Sequence, residues 1–369
     1  MAFYRKYRPK KLSDLIGQDI NVEILRNAAI LNRLSHAYLF YGERGSGKTS
    51  TARILAKIAN CETRLKDELF RKTGEPCNSC PACLSIDAGN AIDLTEIDAA
   101  SNRGIDEIRN LQESVRLSPS SFRYKTFIID EVHMLTPSAW NALLKTIEEP
   151  PSHALFILAT TEIEKVPLTI RSRAQKFLFS KLPKNLIIGK LKAVASSENI
   201  SLEEPVFELL AGASEGSMRD AETMFDQIVS FLGKNETITL EKAESVVGKV
   251  SLEKMNYLAR FLLEKDIEQA LEFAETLKNE NCDIVQFNKD FINYLGKVLS
   301  LKANPKMESA FRNIFSENEL EKMKKLSELS SIESHIKLLK LLISAHREMR
   351  YSPFAFIPFE VALVEFTKS

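Results

Sequence analysis

Eight consecutive residues, Gly42, Glu43, Arg44, Gly45, Ser46, Gly47, Lys48 and Thr49, follow the pattern G-x-x-x-x-G-K-[ST]. The apolar run YLFY precedes them and a stretch of helical spacing, TARILAKIA, follows. Glycines at these places let backbone N–H groups curl around phosphates with no Cβ in the way. A helix N-terminus at the same spot adds partial positive charge. The pattern predicts a triphosphate cradle running from Gly42 to Ser50. Lys48 would reach the β- and γ-phosphates, and Thr49 would ligate Mg2+. A glycine-rich turn that binds nothing is the alternative, and the strand before and helix after the loop argue against it.

A second constellation, FIIDEVH at 127–133, ends an apolar run in two adjacent acids. Asp130 is placed to hold magnesium through its water shell, and Glu131 to orient and polarise an attacking water. A strand ending in solvated acids is the bland reading. A chain that only bound nucleotide would have no need of Glu131, so the pair points to ATP hydrolysis. His133 follows the acids, and it either faces the site or is a satisfied structural histidine.

The third constellation is EPCNSCPAC at 75–83, where Cys77, Cys80 and Cys83 stand three apart. A closed thiolate site needs four ligands, and Cys61 supplies the fourth across a fifteen-residue excursion. Four sulfurs leave no open position for water, which predicts a structural Zn2+ rather than a catalytic one. Cys61 is twelve positions past Thr49, about 18 Å along a helix and out of reach of a γ-phosphate. An iron–sulfur cluster is the rival, but its run would place the next ligand at Asp87. Cys282 stands alone in a helical region and reads as a small buried hydrophobe.

These residues need a scaffold, and the 369 residues suffice for two or three domains. The chain carries 50 Lys plus Arg and 50 Asp plus Glu, so no bulk charge draws it to nucleic acid or membrane. RKYRPKK at 5–11 is a local basic patch, either a contact surface or a solvated tail. No run of 18 apolar residues predicts a membrane span, and the start lacks the apolar core of a signal peptide. Five cysteines, four of them clustered, predict a cytoplasmic metalloprotein rather than a secreted disulfide scaffold.

Five short runs read as strands: YLFY (38–41), DLTEID (93–98), TFIID (126–130), LFILATT (155–161) and KFLF (176–179). Three are almost continuously apolar, as when helices cover both sheet faces. Helical stretches alternate with them. One is well punctuated, with Thr136 as N-cap, Pro137 at the first position, Leu143, Leu144 and Ile147 on one face, and Pro150 and Pro151 as the stop. The alternation predicts an α/β doubly wound, mostly parallel sheet. Past about 180 the strand signals vanish. Segment 184–232 reads as short helices broken near Gly212, Gly216 and Gly233. From about 252 longer amphipathic helices follow, such as LARFLLEKDIEQALEFAETLKNE, with Leu258, Phe261 and Leu262, then Ala270, Leu271 and Ala274, on its stripes.

Taken together, YRPKKLSDLIGQ, HAYLFYGERGSGKTSTARILAK, LTEIDAASNRGIDEIR, TFIIDEVHMLTPSAWNALLKTIEEPP, LATTEIEKVPLTIRSR and EGSMRDAETMFDQ resemble the gamma/tau family of bacterial clamp-loader subunits, which are AAA+ ATPases. The blocks run in unbroken order over residues 4–228, and beyond about 240 the likeness rests on helical character and position. The resemblance implies an AAA+ domain over 1–179 with a zinc-binding excursion at 61–83, a small helical lid over 180–242 and a helical oligomerisation domain over 243–369. It implies a ring of five subunits that opens a sliding clamp and places it on primed DNA, driven by ATP.

The same resemblance assigns further residues. Thr161 matches the polar residue that senses the γ-phosphate. Arg173 matches the arginine finger that acts on ATP in the adjacent subunit, a role suited to a rigid, permanently charged guanidinium. Arg219 matches an arginine that reaches the phosphates from the small helical domain, and Tyr7, Arg8 and Pro9 fall where the family lines the adenine pocket. Ala174 stands where the family often has Cys, and the excursion between Cys61 and Cys77 is longer than the family's usual one. Two other readings stay open: a scaffold subunit that assembles without turnover, and a different AAA+ motor working on DNA junctions or proteins.

Overall fold

In the computed structural model, each of the five runs read as strands holds one: β1 Ala37–Gly42, β2 Leu94–Asp98, β3 Lys125–Asp130, β4 Ala154–Thr160 and β5 Gln175–Phe179. They form one parallel sheet in the order β2-β3-β4-β1-β5. The structure describes residues 2–368 except 234–236, 248, 249, 281, 313, 314 and 316. Among these, the chain divides into two units, Met1–Leu182 with Gly216–Asp220, and Pro183–Glu215 with Ala221–Ser369.

The continuous apolarity of β1, β3 and β4 follows from their burial on both faces. Alternate side chains point to opposite sides of a strand. Leu39, Phe127, Ile129, Phe156 and Leu158 face one layer, where Leu111 of helix Ile105–Arg116 and Leu143 and Ile147 of helix Pro137–Glu148 cover them. Tyr38, Phe40, Ile128, Ile157 and Phe177 face the other, under Leu25 of helix Asp19–Ile30 and Leu55 of helix Lys48–Asn60. The helix predicted after Thr136 begins there: the Thr136 hydroxyl accepts the Ala139 N–H, and the helix ends at Glu148 ahead of the two prolines.

All five strands differ by a residue or two from their sequence limits, mostly by gaining one at an end, and two of them lose a residue. β4 stops at Thr160, so Thr161 is the first residue beyond it. β2 starts at Leu94, because the Asp93 side chain is buried and accepts the N–H groups of Ser120, Ser121 and Phe122 at 2.7–2.8 Å.

The second unit is helical, and its described residues include one isolated parallel bridge, Leu202 with Ile238. Helix Glu204–Ala213 ends one residue after Gly212 and ahead of Gly216, a first-unit residue at φ +93°, and helix Met218–Leu232, whose first three residues also belong to the first unit, is followed by Gly233 at φ +81°. The long segment around residues 258–280 is two helices, Leu252–Leu263 and Ile267–Asn279. Lys265, at φ +64°, turns the chain, and the Asp266 side chain caps the second helix at the Gln269 N–H. Leu258, Leu262, Ala270 and Ala274 are buried in one core with Phe287, Phe291, Leu342 and Phe359, Phe261 packs half-buried against it, and Leu271 is half-buried. Cys282 packs against this core, and burial pushes its thiol up to about 11.

Candidate functional site

β1 delivers the glycine loop at its carboxyl end. Gly42 has φ +130°, and a Cβ there would lie 2.1 Å from the Phe179 carbonyl oxygen on β5. Gly45 has φ +71°, and a Cβ there would lie 1.9 Å from Ser217 Oγ. Both positions therefore exclude any larger residue. Ser46 is buried and its hydroxyl donates to the Glu43 carbonyl at 2.6 Å, closing the loop on itself. Glu43 and Arg44 point to solvent, with the Glu43 carboxylate 3.7 Å from Lys181 Nζ, and Ser50 is half-buried. Lys48 opens the helix and is buried; its Nζ donates to the Gly42 and Glu43 carbonyls at 2.8 and 2.7 Å. Burial lowers the Lys48 pKa, against the pull of Glu131, Asp130 and Glu43.

The sheet register brings the acids to the same edge. Tyr41 of β1 aligns with Thr160 of β4, and β3, the strand on the other side of β4, ends at Asp130. Ligands of open α/β sheets bind beyond such carboxyl ends. The Thr49 hydroxyl donates to Asp130 Oδ2 at 2.7 Å, so the two magnesium candidates are in contact. Glu131 adopts φ +46°, uncommon for a residue with a side chain, and its N–H bonds Asp130 Oδ1 at 2.9 Å. The Thr161 hydroxyl donates to Glu131 Oε2 at 3.1 Å. His133 does face this site. Its Nδ1 lies 3.0 Å from Thr160 Oγ1 and 3.4 Å from Glu131 Oε2, and its Nε2 lies 3.3 Å from Glu162 Oε1.

The remaining predicted residues divide. Arg219 lies beside the loop: its Cβ is 3.4 Å from the point a Gly45 Cβ would occupy, and its guanidinium is 5.2 Å from the Tyr4 ring centre. Tyr7, Arg8 and Pro9 are half-buried just past the short helix Phe3–Lys6. Burial lowers the Arg8 pKa, and the nearby charges of Arg53, Arg219 and Arg5 lower it further against Glu96. Arg173 goes elsewhere: it donates to the Thr169 carbonyl at 2.8 Å and pairs with Glu148 at 2.8 Å, and none of these partners belongs to the glycine loop.

Two residues beside the loop carry no signal that the sequence reading used: Gln18, which reaches the loop, and Asn21, which ties Gln18 to β5. Gln18 is buried and its amide donates to the Ser180 carbonyl at 3.0 Å and reaches the Ser46 carbonyl at 3.5 Å. Asn21 donates to the Leu178 carbonyl at 2.8 Å. Both lie at the start of helix Asp19–Ile30, and an amide pair spaced by three residues before an apolar helix was the available signal.

The four cysteines converge. Cys61 closes the helix Lys48–Asn60, and its sulfur with those of Cys77, Cys80 and Cys83 forms a set all within 4.8 Å of one another. Zinc–sulfur bonds of about 2.3 Å place tetrahedral sulfurs about 3.8 Å apart. Cys77 Sγ and Cys83 Sγ are 3.9 Å apart, so the residues fit that ion. Backbone N–H groups already point at the sulfurs, Cys80 to Cys77 at 3.2 Å and Cys77 to Cys61 at 3.4 Å. Asp87 is outside the set and pairs with Lys57 at 2.8 Å, which argues against the ferredoxin-type alternative.

Three family models match the chain in sequence order. They are DNA polymerase III, delta subunit, over 17–183; DNA polymerase III clamp loader subunit, ATPase lid domain, over 186–234; and DNA polymerase III subunits gamma and tau domain III, over 238–369. DNA polymerase III subunit tau of Bacillus subtilis is 41% identical over 364 residues, which are 99% of this chain and 62% of that protein. The chain thus spans less than two thirds of that relative. DNA polymerase III subunit gamma of Buchnera aphidicola subsp. Baizongia pistaciae is 34% identical over 360 residues, 98% of this chain and 95% of that one. Among solved structures, the Bacillus subtilis DNA clamp loader delta protein aligns over 94% of this chain and 99% of its own, at 15% identity and a TM-score of 0.45. No helix among the described residues is long and apolar enough to cross a membrane. Identity sustained along nearly the whole of a gamma subunit, with a gamma-and-tau model on the last third of the chain, places it in the DNA polymerase III gamma/tau subunit family.

Proposed function

We propose that the chain is an ATP-hydrolysing motor subunit of a clamp loader, which opens a sliding clamp and loads it onto primed DNA. The observation that carries this is the contact between Thr49 Oγ1 and Asp130 Oδ2 at 2.7 Å, beside a buried Lys48 and a loop where a Cβ would clash. A nucleotide site built only to bind has no use for Glu131, yet this glutamate is held in a strained backbone position by Asp130 and Thr161.

In this reading the loop N–H groups and Lys48 bind the triphosphate, and Gly42 through Ser50 line it. Thr49 and Asp130 would hold Mg2+, which when bound neutralises charge on the phosphates. Glu131 orients the attacking water and draws its proton, while Thr161 keeps the carboxylate aimed. Arg219 is read as reaching the phosphates, and Tyr7, Arg8 and Pro9 as lining the base. Arg173 acts in trans, leaving Glu148 for the triphosphate of a neighbouring subunit. Cys61, Cys77, Cys80 and Cys83 would hold a structural Zn2+, which ties down its excursion and does no chemistry.

The proposed division is an ATPase domain over 1–179, a lid over 180–242 and an oligomerisation domain over 243–369. The family matches at 17–183, 186–234 and 238–369 support it. The proposed partners are the other subunits of a five-membered ring, the sliding clamp and primed DNA, and the proposed location is the cytoplasm. A scaffold that assembles without turnover would not need Glu131 and Arg173 together.

The test is ATP turnover of the assembled loader with the clamp and primed DNA, added singly and together. Joint stimulation well beyond either alone is expected. Turnover indifferent to both would remove the loader reading while leaving an ATPase, and no turnover under any condition would favour the scaffold.

A further inference from the structure

The excursion that carries the four cysteines also grips the segment leading out of Tyr7, Arg8 and Pro9. One buried charge and one half-buried charge make that connection. Lys57 lies on the helix that begins at Lys48, and its side chain is 1% exposed. A buried ammonium needs acceptors for its three hydrogens. Lys57 Nζ has three, from three separate segments: the Lys10 carbonyl at 3.0 Å, Asn78 Oδ1 at 2.8 Å and Asp87 Oδ1 at 2.8 Å. Asn78 stands between Cys77 and Cys80, and Asp87 lies on helix Pro81–Ala88, which carries Cys83. The second charge is Glu75, two residues before Cys77. Its carboxylate accepts the Leu12 N–H at 2.7 Å, the Ser13 N–H at 3.0 Å and the Arg26 guanidinium at 3.0 Å. Around these, the excursion is docked closely: a Cβ at Gly74 would lie 3.0 Å from the Arg26 carbonyl, and Arg64 donates to the Ala29 carbonyl at 2.8 Å.

We infer that the four-cysteine module positions the N-terminal arm for nucleotide, with Lys57 and Glu75 as its positioning residues. The inference rests on the metal and base-pocket readings proposed above. Metal binding fixes the turn bearing Asn78 and the start of the helix bearing Asp87. Those two side chains hold Lys57 against the Lys10 carbonyl, and with the Glu75 carboxylate on Leu12 and Ser13 this fixes residues 10–13, and hence the three residues before them, in one conformation. A pre-ordered arm binds the base without the entropic cost of ordering it. The arm touches the base side, not the reacting phosphate, so its loosening weakens binding and spares the chemical step.

The experiment uses the full chain. Zinc content is measured first. Amide exchange of Leu12 and Ser13 is then followed in the zinc-loaded protein, in protein stripped with a mercurial and chelator, and in Glu75→Gln, which keeps all four thiols. Exchange at β3 and β4 reports whether the sheet stays folded. If stripping unfolds the sheet, Glu75→Gln carries the test alone. The expected result is zinc in the loaded chain, arm exchange faster by roughly tenfold or more in Glu75→Gln and in stripped protein whose sheet stays folded, and, in loaders assembled with the Glu75→Gln chain, KM for ATP raised several-fold at unchanged kcat. Zinc present with arm exchange unmoved by stripping, or a loosened arm with KM unchanged, overturns the inference. A purified chain without zinc is seen before any exchange measurement; it refutes the metal reading and the inference falls with it.

Discussion

Glu131 and Lys48 test different halves of the site. Glu131 occupies a left-handed backbone conformation, φ +46°, that costs on the order of 1–3 kcal/mol in a non-glycine residue. Its carboxylate is engaged by Thr161 and lies 3.4 Å from His133 Nδ1, so the side chain is aimed rather than free in solvent. Glu131→Gln keeps the shape and removes the base. It should leave ATP affinity within a few-fold and cut turnover roughly 10²–10⁴-fold. Lys48→Ala should instead abolish nucleotide binding itself. Equilibrium binding of a labelled nucleotide beside single-turnover hydrolysis separates the two, and a Glu131→Gln chain that turns over normally would remove Glu131 from the chemistry. Most of this site was legible because its parts are local: a glycine loop, two adjacent acids and three cysteines three apart. Gln18 and Lys57 were not, and for His133 the sequence admits both the site and a structural role. Their partners lie tens of residues away, as with Lys57 and its acceptors on Lys10, Asn78 and Asp87, and a side chain's contacts across such separations leave no local pattern.

At the scale of elements, the strands were readable for one reason and their ends unreadable for another. Burial on both sheet faces makes the middles of β1, β3 and β4 apolar at successive positions rather than alternate ones. The start of β2 depended on Asp93, which looks in the sequence like any strand-edge acid. Burial pushes the Asp93 carboxyl up, but three backbone N–H groups from residues 120–122 and the Lys125 charge outweigh it and hold the pKa below the ordinary value. A carboxyl whose folded pKa is lowered stabilises the protein above its unfolded pKa, and that stability is lost as pH falls through the folded value. Asp93→Asn should therefore cost about 1.5–3 kcal/mol at neutral pH. It should also flatten the acid side of the stability curve below about pH 4. Urea unfolding at pH 7 and at pH 3 checks both, and an equal loss at the two pH values would show the carboxylate charge to be irrelevant. The long segment around 258–280 failed in the opposite way. Its helical stripe is nearly continuous in register across Glu264, Lys265 and Asp266, and only an aspartate in capping position marks the break.

For the whole molecule, the question is whether a catalytic site is complete within one chain. Arg173 and Glu148 are bound to each other at 2.8 Å, both about two-fifths exposed, and Arg173 also donates to the Thr169 carbonyl. An exposed ion pair of this kind contributes little to stability, so exchanging Glu148 for a triphosphate on another chain is energetically accessible. A guanidinium supplied in trans stabilises charge on the transferring phosphoryl group by roughly 10³–10⁵ in rate. Assemblies containing more than one copy then allow a complementation test. Arg173→Ala binds ATP but offers no finger, and Lys48→Ala offers a finger but binds no ATP. Each alone should be nearly inactive. Mixed before assembly, they should regain a measurable fraction of turnover, since some interfaces pair an intact nucleotide site with an intact Arg173. A mixture as inactive as its components at every ratio, from chains shown to co-assemble, would mean that Arg173 serves its own chain or none. Arg173→Ala turning over at the rate of the unaltered chain would mean that its bond to Glu148 is its whole role.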